Sequence, residues 1–92
     1  MKRLLMKIIN DYLTNALVRC FKTVAIVRGI DLLAIPRKNE VTVYVKDRKY
    51  TEDNYKQVMV FNKSASIYYL CNLTKTKEEF NKILKYYQEK EC

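Results

Sequence analysis

Between Arg3 and Cys20, apolar residues recur at spacings of three and four: Leu5, Ile9, Tyr12, Leu13, Ala16, Leu17 and Cys20. That spacing predicts a helix packed on one side. The pattern then turns β-branched over residues 23–27, 30–35 and 41–46, which predicts three strands. Gly29, the only glycine, separates the first two, and Pro36-Arg37-Lys38-Asn39 reads as the turn between the second and third. In the third strand Val41, Val43 and Val45 alternate with Thr42, Tyr44 and Lys46, so one face is core and the other is polar.

Thr51-Glu52-Asp53-Asn54 has the composition of a helix start, a capping hydroxyl followed by acids where the helix dipole favours them. Tyr55, Val58, Met59 and Asn62 continue at helical spacing, although the unbroken run Val58-Met59-Val60-Phe61 also suits a strand. A helix is the expectation adopted. Residues 66–73 predict a fourth strand, and Thr76-Lys77-Glu78-Glu79 a capping box opening a last helix that buries Phe80, Ile83, Leu84 and Tyr87. The expected order is α-β-β-β-α-β-α, a single α/β (α+β) domain over residues 1–92 with a small mixed sheet flanked by helices.

Composition narrows the partners. A chain of 92 residues that is 49% apolar folds around one core, and 18 basic against 10 acidic side chains (+8) favour a polyanion. Nucleic acid leads, with an anionic membrane surface behind it. Residues 1–50 hold eleven basic and four acidic side chains, whereas residues 51–92 hold seven and six, so the helix-plus-hairpin half is the candidate polyanion face. A membrane-bound first helix is the rival, but Asn10, Asp11 and Asn15 dilute the positive side it needs, and no membrane partner is expected. With no histidine, the chain lacks an imidazole base, a histidine-based triad and an HExxH zinc site. Three cysteines without a CxxC pair argue against a disulfide framework or a thiolate zinc site and point to a reducing, cytoplasmic setting.

A turn centred between Arg37 and Lys38 pairs Asp31 with Tyr44, their β-carbons about 5 Å apart, and puts Lys46 one step diagonal on the same polar face. An acid inside Ile30-Asp31-Leu32-Leu33 is costly to bury alone, so it must be paired, metal-bound or at an accessible strand end.

Gly29-Ile30-Asp31-Leu32-Leu33-Ala34-Ile35, a turn, and Val43-Tyr44-Val45-Lys46 resemble the Asp...Glu-x-Lys hairpin of the PD-(D/E)XK superfamily of restriction-endonuclease-like nucleases, which includes archaeal Holliday-junction resolvases. The resemblance covers roughly residues 5 to 73. It implies that Asp31 binds Mg²⁺, that Lys46 is catalytic, that Asn10 or Asp11 contributes from the first helix, and that the protein works as a homodimer. One position departs from the family: Tyr44 stands where it has an acid, and a neutral phenol is a poor Mg²⁺ ligand. Glu40 lies about 13 Å back along the strand and Asp47 points to the opposite face, so neither substitutes simply. Glu52 or Asp53 could supply the missing acid from the following helix, as in some members. The implied site is Asp31, Tyr44 and Lys46 for catalysis and Asp31, Asp11 and Glu52 for metal. Lys46 would orient a metal-activated water for phosphodiester hydrolysis.

Arg28, Arg48 and Lys49 at the strand ends, with Arg37 and Lys38 at the tip, are candidates to hold phosphates, of DNA rather than RNA. The plainer alternatives are a cross-strand Asp31–Lys46 ion pair and a solubilising surface. Tyr68-Tyr69 and Tyr86-Tyr87 each predict one buried and one exposed ring, the exposed one available for base stacking or for a dimer interface. Three functions are consistent with these features: a metal-dependent endonuclease or junction resolvase, a catalytically inactive DNA-binding or regulatory module, and a protein-interaction domain such as a small viral or plasmid inhibitor.

Overall fold

A computed structural model describes residues 2–49 and 54–90. In chain order these form α1 (Lys2–Val27), β1 (Ile30–Pro36), β2 (Glu40–Asp47), β3 (Lys56–Asn62), a 3₁₀ turn (Lys63–Ala65), α2 (Ser66–Cys71) and α3 (Leu73–Lys90). Among the described residues the architecture is α+β: one antiparallel sheet in the order β1-β2-β3, covered on one face by the helices.

Four expectations change. Residues 23–27, expected as a strand, continue α1, because Leu17, Phe21 and Ala25 recur every four residues on one buried face and packing outweighs the β-branched propensity of Thr23-Val24 and Ile26-Val27. Residues 56–62, expected within a helix, form strand β3. The outer edge of β2 needs a hydrogen-bonding partner, and the run Val58-Met59-Val60-Phe61 supplies it, with Val41 opposite Phe61 and Val43 opposite Met59. The expected helix start at Thr51-Glu52-Asp53 lies outside the described residues. Residues 66–71 form α2, not a fourth strand: Ser66 is buried and its hydroxyl meets that of Thr14 on α1 at 2.8 Å, an anchor for a turn of helix. The sheet is therefore wholly antiparallel rather than mixed.

The capping box also shifts. Helix α3 starts at Leu73, and the Thr76 hydroxyl donates to the carbonyl of Tyr69 at 2.9 Å, tying α3 to α2 instead of capping an end. The buried side of α3 is as expected, with Phe80, Leu84 and Tyr87 in the core and Ile83 packed against it. Phe21 is the hinge of that core, its ring centroid 4.3 Å from Phe80 and 5.9 Å from Phe61. The edge-on geometry with Phe61 is a favoured aromatic arrangement.

A polar bracket ties the end of the sheet to α3. Asp47 is buried; its carboxylate accepts from the Lys49 backbone N–H at 3.1 Å and from the Gln88 amide at 3.2 Å, while its own N–H donates to the Tyr87 hydroxyl at 3.2 Å. Gln88 also donates to the Arg28 carbonyl at 3.0 Å, and the Arg28 guanidinium donates to Asn81 at 2.5 Å and Gln88 at 3.0 Å. Between α1 and β1 the chain turns at Gly29, which has φ +72 and no atom within 4 Å of where a Cβ would sit. Gly29→Ala therefore meets only backbone strain, and a urea unfolding midpoint should report a loss of about 1 kcal/mol, smaller for Gly29→Asn. An unchanged midpoint for alanine would contradict the left-handed turn.

Candidate nucleic-acid interface

The hairpin turn is centred between Lys38 and Asn39 and is closed by the Arg37 N–H donating to the Glu40 carbonyl at 2.8 Å. Asp31 consequently faces Lys46 rather than Tyr44, and Tyr44 faces Leu33. The shift from the expected register is two residues, so the side of the sheet is unchanged. Asp31, Tyr44 and Lys46 do share the side away from the helices, as a diagonal cluster, while Val41, Val43 and Val45 fill the core.

The cluster is occupied by a structural task. The Asp31 carboxylate accepts from Arg48 Nε at 2.7 Å, in a half-exposed ion pair worth less than about 1 kcal/mol. The proposed metal set is not assembled. Asp11 lies on α1, paired with Lys63 at 3.3 Å, beside the hairpin tip, whereas Asp31 lies at the start of β1. The six residues of extended chain between Asp31 and the tip put about 20 Å between them. Tyr44 offers no carboxylate, Glu52 lies outside the described residues, and among the described residues no three His, Cys, Asp or Glu side chains group to hold a metal. The described donors do not group to hold Mg²⁺, and no step is assigned to it.

The five basic candidates separate as well. Arg28 belongs to the Asn81–Gln88 bracket, Arg48 to Asp31, and the Lys49 N–H to Asp47, all at the end of the sheet far from the tip. Arg37 and Lys38 are exposed at the tip.

At the tip end a different constellation forms. The first turns of α1 run past the sheet and leave a cleft of about 710 Å³ between helix and hairpin, lined by Arg3, Lys7, Asn10 and Asp11 from α1 and by Lys38, Asn39, Asn62 and Lys63 opposite. The Lys63 N–H donates to the Asn39 carbonyl at 2.9 Å and fixes the second wall. Lys63 and Asp11 pair across the cleft, which leaves one acid among four cations, with three asparagine amides able to donate and accept. Guanidinium and ammonium groups beside amides suit phosphate oxygens and the polar atoms of sugars or bases.

Of this set only Lys38, Asn10 and Asp11 are prominent in the sequence. Arg3, Lys7 and Lys63 were missed, yet a signal exists: Arg3, Lys7 and Asn10 fall in phase with Leu17, Phe21 and Ala25, so cations take the core-facing side of α1 where the sheet has ended. The tyrosine pairs divide as expected, with Tyr68 and Tyr86 exposed, Tyr69 half-buried and Tyr87 buried, although Tyr68 and Tyr69 sit on a helix. Cys20 and Cys71 are free thiols. Among the described residues no helix is long and apolar enough to cross a membrane. Comparison with protein-family models, with curated proteins and with solved structures finds no match for the chain.

Proposed function

We propose that this protein binds nucleic acid, DNA in the first instance, along the sugar–phosphate backbone through the cleft between the start of α1 and the hairpin tip, as a binding or regulatory module. The observation that carries the reading is the convergence of Arg3, Lys7, Lys38 and Lys63 with three asparagines on one cleft of a chain with net charge +8. Phosphate contacts of this kind set affinity without reading sequence. No hydrolytic role is proposed. Asp31 is engaged with Arg48, and among the described residues no three His, Cys, Asp or Glu side chains group to hold a metal. The restriction-endonuclease-like relationship enters only through Asp31 and Lys46 as cross-strand neighbours, and the binding reading stands without it.

Fluorescence anisotropy with a short labelled duplex over a sodium chloride series tests the proposal. Three or four neutralised phosphates give log K against log salt a slope of about −3. Salt-independent binding, or none at low salt, would contradict it and favour a protein-interaction domain.

A further inference from the structure

Helix α1 is amphipathic in opposite senses along its length. From Thr14 onward its buried side carries Leu17, Phe21 and Ala25. At about 100° per residue, the same side of the first turns carries Arg3, Lys7 and Asn10, which line the cleft. The apolar residues there point the other way: Leu4, Leu5, Ile8, Ile9 and Tyr12 are exposed by 64%, 60%, 57%, 40% and 74%. They occupy an arc of about 140° that contains no charged side chain. Every residue from Arg3 to Ile9 is exposed, and a helical stretch this short, without packing, is marginal in water. Nothing in the described chain covers the stripe.

We infer that this stripe is the seam of a homodimer in which two α1 helices pack antiparallel about a two-fold axis at Ile8. The positions are self-complementary under that operation. Leu4 of each copy meets Tyr12 of the other, Ile8 meets its own counterpart, and Leu5 and Ile9 flank them. Arg3 and Lys7 face the clefts on the far side, so the seam brings no like charges together and leaves both clefts open. Farther along the outward side, Asn15 and Arg19 interrupt the apolar run and confine the contact to the first turns. Removed from water in two copies, the stripe amounts to on the order of 1,000 Å², the lower bound for a specific interface, so association in the micromolar range is expected. An anionic membrane fits less well. An interfacial helix draws on cations along both borders of its apolar arc, whereas one border of this arc is the acidic Asp11.

Sedimentation velocity of the full chain across a concentration series near physiological salt tests the seam. The wild type is expected to shift from monomer toward dimer in the micromolar range. Ile8→Glu is expected to weaken association at least tenfold with an unchanged circular dichroism spectrum, since the side chain is exposed in the monomer. Arg19→Glu, beyond the seam, is expected to leave association within twofold. A wild type that stays monomeric at every concentration, a dimer that survives Ile8→Glu, or a monomeric wild type that co-sediments with phosphatidylglycerol vesicles would each overturn the inference.

Discussion

Replacing Lys7 and Lys38 together by glutamate is expected to weaken binding to a short DNA duplex by about 100-fold at low salt and to reduce the salt slope by about 2. The two side chains stand on opposite walls of the cleft, one on α1 and one at the hairpin tip, and both are exposed. Reversing them removes two phosphate contacts and adds two repulsions without disturbing any buried group. Fold stability should therefore change by less than about 0.5 kcal/mol, which separates a loss of binding from a loss of folding. The same reversal at Arg48 and Lys49, at the other end of the sheet, is the matched control. It changes net charge equally and should lower affinity only about threefold, through the long-range field. Equal losses from both pairs would mean that affinity comes from diffuse charge, not from the cleft.

Phe21→Ala is expected to cost about 3–5 kcal/mol, the usual range for deleting a fully buried aromatic side chain. Phe21 is 2% exposed and touches the two rings that bring the rest of the core to α1: Phe80 on α3 and Phe61 on β3. Helix α2 sits at its flank, with Tyr69 edge-on to Phe61 at 6.2 Å. Deleting the central ring leaves both partners facing a void that the surrounding backbone cannot close. Small domains have total stabilities of about 5–15 kcal/mol, so the variant sits close to unfolding at room temperature. Urea denaturation followed by circular dichroism gives the cost directly. A loss below about 1 kcal/mol would show that the three-ring cluster does not organise the core.

The hairpin and last helix were legible in the sequence because each carries a single unambiguous period. Valines at 41, 43 and 45 can face one core only as a strand, and Phe80, Leu84 and Tyr87 only as a helix. The misread segments are those in which local chemistry and tertiary demand disagree. Residues 23–27 look extended by propensity, but Ala25 continues the phase set by Leu17 and Phe21. Val58-Met59-Val60-Phe61 fits either period, and the unpaired edge of β2 decides it, which no local window contains. Ser66 is polar and small, with no local sign that it is buried against Thr14, 52 residues away.

The candidate site was legible only in part for a similar reason. Asp31 and Lys46 were placed on one face correctly, since parity survives a two-residue change of register. The cleft depends instead on how far α1 extends beyond the sheet. That extension is visible only once residues 14, 17, 21 and 25 are known to be the buried ones and Arg3 and Lys7 are seen to continue their line. The expected buried stripe through Leu5, Ile9 and Tyr12 was assigned to the core from spacing alone, and the structure turns those three residues to solvent.

The most direct test of the binding cleft is an NMR titration of the isotopically labelled protein with a short DNA duplex, following backbone amides. Binding in the cleft is expected to give the largest shifts at Lys7, Asn10, Asn39 and Lys63, with Asp31, Lys46 and Arg48 little changed. Shifts concentrated around Asp31 and Arg48, with the cleft amides still, would contradict it.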